Sequence, residues 1–302
     1  MSALLPSWIL ALDHANPKNQ TFLNDSIEIF ETKKPSSLYR ILSIPDGFVQ
    51  RSDEWFRARL HLLSASDCAA VIGQNKHASY DDVMKKKLGL GKPFKSNVAT
   101  QHGVKYEDVA LKAFERITKI HVIPRDFGLV KHSKYPFIGA SPDGITFEAN
   151  PRLLEIKCPY YRVPKPGYIP EYYIPQMQQQ MAVFNLDSCF YFEYWPSSTF
   201  QEERYLLTEI KREPLWLFTH LPKIQDFVNE MYKKRQKMID DGTFECPIAR
   251  KKRMEKEESE KELIISHREK YKRPLVPFLF VGDAKEVVVA KKEKVQEDFA
   301  FV

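Results

Sequence analysis

A chain of 302 residues in which 43% of side chains are hydrophobic has apolar surface for one large core or two modest ones, which excludes disorder throughout. Its formal charge of +6, from 46 Lys and Arg against 40 Asp and Glu, suits a polyanionic partner, because phosphates bind basic surfaces with release of counterions. No run approaches the roughly 18 consecutive apolar residues of a membrane span, and Met1-Ser2-Ala3-Leu4-Leu5 lacks the basic start of a secretory signal, so a soluble, intracellular protein with no membrane partner is expected, cytoplasm or nucleus undecided. Cys68, Cys158, Cys189 and Cys246 are too scattered for a disulfide framework and include no CxxC metal pair.

Residues 1–45 show no sustained period and read as an N-terminal extension packed on a core. From Ser52 a helical pattern places Trp55, Arg59 and Leu62 on one side, and Ser66 is expected to cap a short helix running to Gly73. A second helix starts at Ser79, with Asp82 as its capping partner, and stops near Gly89. The first long amphipathic helix is expected over Val98 to Thr118, with Val104, Leu111 and Phe114 on its buried stripe. Four β-type runs follow, at 120–131, 136–147, 152–158 and 188–195, interrupted by a helix at 171–185 with Pro175 near its first turn. A strand near 202–207 leads to a helix over 211–240, whose Trp216, Leu217, Leu221, Ile224, Phe227, Val228 and Met231 mark a buried face. Beyond it, Arg250-Lys251-Lys252-Arg253 opens a mixed-charge run over 250–273 that reads as solvated surface, with a phosphate-contacting arm or a nuclear-import tag as the alternatives.

The pattern predicts an α/β fold: a mixed, partly antiparallel central sheet flanked by helices, with a helical C-terminal addition. The expected divisions are an N-terminal extension over 1–45, the core over 46–207, a C-terminal helix packed on it over 208–245, and a charged segment and tail over 246–302.

The chemistry concentrates in Ser141-Pro142-Asp143-Gly144 and Leu153-Leu154-Glu155-Ile156-Lys157-Cys158-Pro159. Side chains alternate faces along a strand, so Glu155 and Lys157 point one way and Leu154 and Ile156 the other. Two adjacent strands and a tight turn bring Asp143 to the same point, placing two hard oxygen ligands together. Magnesium asks for that donor set, completed by waters and phosphate oxygens, and Lys157 would lie beside the attacking water. Glu107 adds a carboxylate on the long helix, one turn after Gly103. On the helix at 171–185, Met177, Met181 and Phe184 form an apolar stripe that leaves Gln176, Gln179 and Gln180 along another side, placed to hold a water or phosphate and otherwise a solvated face. Upstream, the bidentate fork of Arg59 and Ser66 at a helix N-terminus are groups a terminal phosphate would seek.

Glu54-Trp-x-x-x-Arg59, Ser64-Ala-Ser66, Gly103-x-x-Tyr106-Glu107, Ser141-Pro142-Asp143-Gly144, Glu155-x-Lys157-Cys158-Pro159 and Gln176-x-Gln178, in this order, resemble the exonuclease of phage lambda and its relatives. These form the YqaJ viral recombinase or alkaline exonuclease family of the PD-(D/E)xK nuclease superfamily, which has a restriction-endonuclease-like core. The resemblance spans residues 49–195. It implies that Asp143 and Glu155 bind Mg²⁺, with Mn²⁺ as a substitute, that Lys157 serves the attacking water, and that Glu107 and Gln176 support the metal or nucleophile. Arg59, Ser66 and Ser141 would form the pocket for the 5′-phosphate of a double-stranded DNA end. It further implies 5′→3′ digestion of one strand in recombination, repair or viral replication, and a 3′ tail for a single-strand annealing protein. The residues before 46 and after 246 fall outside the matched region, so the ring-shaped trimer of the family is left open. The competing readings are a structure-selective endonuclease or flap nuclease with the same metal site, and a DNA-end-binding protein that does not cut.

Overall fold

The computed structural model describes residues 36–91, 96–197 and 202–270, together with Ile9, residues 15–17, 19–21, 23 and 24. Most of the expected N-terminal extension, and residues 271–302 of the expected charged tail, lie outside the described residues. The chain divides into two compact units, Met1–Glu255 and Lys256–Val302, and the site lies wholly in the first. Among the described residues, no helix is long and apolar enough to cross a membrane.

Helices α1 (Ser36–Leu42) and α2 (Asp53–Arg59) precede a short strand, β1 (Leu63–Ser64), which runs directly into α3 (Ala65–Val71). Then come α4 (Tyr80–Leu88), the long α5 (Val98–Thr118), and strands β2 (Val130–Lys131), β3 (Ile138–Ala140), β4 (Gly144–Ile145) and β5 (Leu153–Lys157). A 3₁₀ turn at Glu171–Tyr173 leads into α6 (Ile174–Phe184), followed by β6 (Ser188–Trp195), β7 (Arg204–Lys211), α7 (Trp216–Asp240) and α8 (Pro247–Lys270). Local chemistry explains several boundaries. Ser52 accepts a bond from the Trp55 amide, Ser79 and Asp82 form a reciprocal capping box, and Gly89 ends α4 in the left-handed region.

The strands form two sheets, ordered β1-β3-β2 and β4-β5-β6-β7. In the larger one, β4 and β7 run antiparallel to their neighbours while β5 and β6 run parallel, so the sheet is mixed as expected. Strand β5 lies between two layers. Its Leu154 and Ile156 pack with Ala110, Ala113 and Phe114 of α5, and its Leu153 packs with Met177, Met181 and Phe184 of α6. A strand covered on both faces must bury whatever side chains it carries, polar ones included. The expected apolar face of α7 packs on α3 and α4 through Ile224, Phe227, Val228 and Met231. Ile9, Leu38, Ile41 and Leu42 join the core beside α6.

The structure corrects five local expectations. The run at 136–147 is two short strands in different sheets, because Ser141-Pro142-Asp143 leaves one sheet before Gly144 enters the other. The run at 120–131 reduces to β2 and two isolated bridges, Phe48 with Leu129 and Val122 with Thr146. Gly128, at φ 60°, turns the chain where a Cβ would collide with the Phe48 carbonyl. The cap of α3 is Ser64, and Ser66 sits inside the first turn. Val104 is exposed, since the buried contacts of α5 come from its second half, at Ala110, Ala113 and Phe114. Helix α7 begins at Trp216 because β7 continues to Lys211 and a turn intervenes.

Candidate active site

Glu155 is 0% exposed on β5, and a bare carboxylate there would be costly. Three side chains answer it. Its Oε1 accepts from the Lys157 ammonium and from Gln176 Nε2 at 2.6 Å, and its Oε2 accepts from Gln180 Nε2 at 2.9 Å. The two glutamines stand one turn apart on α6, the helix that covers this face of β5. Gln180 Nε2 also lies 3.3 Å from the Ser141 carbonyl, joining α6 to the break between β3 and β4.

Asp143 occupies that break. Its Oδ2 accepts from the Ile156 backbone amide at 2.7 Å, which ties it to β5 beside Glu155. Burial pushes the Asp143 carboxyl well above its ordinary range, and the charges of Glu155 and Glu107 push it further against the pull of Lys157. For Lys157 burial works against the ammonium, but Glu155 and Asp143 outweigh it and raise the group above its ordinary value. The ammonium also lies 4.9 Å from the centre of the Tyr173 ring.

Asp143, Glu155, Lys157 and Gln176 are thus brought to one point. Glu107 stands at its margin, accepting from Arg51 at 2.7 Å while its charge still acts on Asp143. Among the described residues no group of three or more His, Cys, Asp and Glu forms a ready metal cage. The centre offers two carboxylates, with one Asp143 oxygen uncommitted among the described residues, and their mutual repulsion leaves it short of positive charge. Two hard oxygen donors are the chemistry a magnesium-type ion takes, its other positions going to water and phosphate.

The expected phosphate-binding residues also meet. Arg59 donates to Ser66 Oγ at 2.8 Å and lies over the Trp55 ring at 4.2 Å. Trp55 Nε1 in turn donates to Ser141 Oγ at 2.9 Å, so one indole links the arginine to the residue two positions before Asp143. Behind Arg59 lies buried Asp67, which accepts from Ser64 at 2.8 Å and pairs with Lys86 at 2.7 Å and Lys87 at 3.1 Å. Lys87 Nζ donates to the Arg59 carbonyl at 2.6 Å, so the buried pair also holds the arginine's backbone.

Two contributors escaped the sequence reading. A third, Gln180, was placed beside Gln176 and Gln179 with its role open between holding a water or phosphate and lying in solvent, and the solvated alternative fails because Gln178, Gln179 and Gln180 are buried. Trp55 stood within a motif already singled out, and Asp67 directly follows one. Nothing local says that one reaches Ser141, or that the other faces Lys86 and Lys87.

The model of the YqaJ-like viral recombinase domain family matches residues 54–187. The chain is similar to protein R354 of Acanthamoeba polyphaga mimivirus, 34% identical over 164 residues, which are 49% of this chain and 29% of that protein. It is similar also to protein D345L of African swine fever virus (isolate Tick/South Africa/Pretoriuskop Pr4/1996), 30% identical over 163 residues, 46% of this chain and 47% of that one. The match therefore spans less than half the length of these curated relatives. Among solved structures, the alkaline exonuclease LHK-Exo of Laribacter hongkongensis superposes with a TM-score of 0.51 and 28% identity over 63% of this chain and 98% of that one. The same values hold for LHK-Exo in complex with dAMP. All the site residues above except Arg51 lie within residues 54–187, the segment that matches the YqaJ-like viral recombinase domain family.

Proposed function

We propose that the chain is a magnesium-dependent deoxyribonuclease that digests one strand of duplex DNA, 5′→3′, from a 5′-phosphorylated end. The observation that carries this reading is a fully buried Glu155 sharing one centre with Asp143 and Lys157, beside the linked set of Arg59, Ser66 and Ser141. In it, Asp143 and Glu155 would hold Mg²⁺, or Mn²⁺ in its place, which when bound supplies Lewis acidity and a more acidic water.

The remaining roles belong to the chain's own groups. Lys157, whose ammonium pairs with Glu155, is suited to orienting the attacking water and offsetting charge that grows on the scissile phosphate. Gln176 and Gln180 keep Glu155 in one rotamer, as outer partners of metal-binding carboxylates do. Arg59, stacked on Trp55, has lost much of its side-chain freedom before any ligand arrives, so less is lost when it clamps a terminal phosphate. Water oxygen then bonds to phosphorus as the bond from phosphorus to the 3′-oxygen breaks, releasing a 5′-mononucleotide. The pocket sets polarity by fixing which end enters.

The test is nucleotide release with Mg²⁺ from end-labelled linear duplexes carrying a 5′-phosphate or a 5′-hydroxyl, and from covalently closed circles. Release is expected from the phosphorylated duplex first, with circles intact, and Asp143→Asn is expected to abolish release while duplex binding persists. Equal cutting of circles would point to an endonuclease, and unimpaired hydrolysis by Asp143→Asn would remove the assignment of the centre.

A further inference from the structure

The loop that leaves β5 carries aromatic rings that the chemistry above does not use. Cys158-Pro-Tyr-Tyr-Arg-Val-Pro-Lys-Pro-Gly-Tyr168 leaves Tyr160 49%, Tyr161 79% and Tyr168 41% exposed. Clustered exposed rings mark surfaces that bind something. The loop is held in place: Arg162 pairs with buried Glu193, and the Arg162 carbonyl accepts from Trp195 Nε1 at 2.9 Å.

The rings form a continuous run. The Tyr106 centroid lies 4.6 Å from that of His102, His102 lies 5.2 Å from Tyr160, and Tyr160 lies 4.7 Å from Tyr161. The run begins at the sequence neighbour of Glu107 on α5 and ends on the loop that leaves β5, four residues after Lys157. Lys105 lies over Tyr106 at 5.1 Å and Lys165 over Tyr168 at 5.0 Å, adding cations beside the rings. His102 Nε2 is buried and has no hydrogen-bond partner among the described residues.

We infer that the rings of Tyr106, His102, Tyr160 and Tyr161 form a stacking platform for unpaired nucleobases of the DNA end being digested, an inference that rests on the nuclease reading above. Flat faces suit bases of any sequence, and the flanking ammonium groups suit the intervening phosphates. Carried by α5 and by the loop that leaves β5, such a surface would hold unpaired bases of the end away from their partners while the strand is cut.

The experiment uses the full chain carrying Asp143→Asn, so that DNA is bound and not consumed. The ligands are 5′-phosphorylated duplexes with either a blunt end or two unpaired terminal bases, one of them 2-aminopurine. Quenching of 2-aminopurine is expected with the tyrosines intact and lost in Tyr160→Ala or Tyr161→Ala, with affinity for the frayed end weakened roughly tenfold and the blunt duplex less affected. Tyr161→Trp is expected to restore both. Unchanged circular dichroism would show that the exposed positions leave the fold alone. If the alanine variants quench and bind as well as their parent, the platform takes no base and the inference is overturned. That result would leave the nuclease reading standing, whereas failure of the unsubstituted chain both to bind and to cut DNA would bring down the two together.

Discussion

The carboxylate of Glu155 is out of reach of water, and each of its oxygens is answered by a side chain from β5 or α6. Gln180→Leu would remove the donor on Oε2. Loss of such an outer partner typically costs about tenfold to a hundredfold in metal affinity or activity, so nucleotide release is expected to fall by that order and the magnesium concentration for half-maximal rate to rise. A variant with parental rate and magnesium response would show that Gln180 only fills space. Asp67 gives a second prediction. Burial raises its carboxyl, but Lys86, Lys87 and Arg59 overcome this and hold it well below the ordinary range. An acid depressed on folding stabilises the protein above its unfolded value and loses that contribution as pH falls through the folded one. Asp67→Asn is therefore expected to cost about 3–5 kcal/mol near neutral pH, read from urea midpoints, and the gap to the parent should narrow below about pH 4. A gap independent of pH would refute the charge explanation. Lys87, drawn down to about 8 by burial against the pull of Asp67, acts at the other end of the scale. Its buried charge is a cost below that value, relieved as pH rises from there toward the unfolded lysine range.

At the scale of elements, the site depends on β5 being pinned between α5 and α6. Phe114 of α5 is fully buried, with ring centroids 5.5 Å from both Phe190 and Phe192 of β6. Phe114→Ala would leave a cavity under the sheet and is expected to cost about 3–5 kcal/mol, read as a lowered thermal midpoint. Strand β4 has less room still. A Cβ on Gly144 would lie 2.8 Å from Val122 Cγ1 and 3.4 Å from Leu154 Cδ2, so Gly144→Ala requires either the Val122 side chain or β4 to shift. Overpacking of this kind costs about 1–3 kcal/mol. Since Asp143 is the preceding residue, activity is expected to fall by more than stability alone explains, which activity assays below the unfolding transition would reveal.

For the whole molecule, the C-terminal helix is tied to the segment behind Arg59 by Arg235, a buried guanidinium on α7. It donates to the Leu60 carbonyl at 2.6 Å and the Lys87 carbonyl at 3.0 Å. Arg235→Met would leave two carbonyls unpaired at roughly 1–3 kcal/mol each, and is expected to weaken discrimination between 5′-phosphate and 5′-hydroxyl ends along with stability. Equal discrimination in a folded variant would separate α7 from the pocket. The net charge of +6 belongs to this scale too. Duplex affinity is expected to fall about tenfold or more between 50 and 200 mM salt, and a flat response would remove the polyanion reading.

Much of the centre is legible in the chain because it is local. Period two along 153–157 separates Glu155 and Lys157 from Leu154 and Ile156, and period 3.6 aligns Met177, Met181 and Phe184. Residue identity alone marks Asp143, Gln176 and Arg59 as candidates, and the order of short motifs carries the family resemblance. The closures were decided by tertiary structure. Trp55 meets Ser141 across 86 positions, Gln180 meets Glu155 across 25, and Glu107 turns to Arg51 across 56, none of which any local period encodes. Ser66 failed as a cap because β1 feeds α3 through Ser64, leaving its hydroxyl for Arg59. The glutamine face failed as a solvated one because β5 needed donors there, and a side chain's solvent exposure is set by what packs on it.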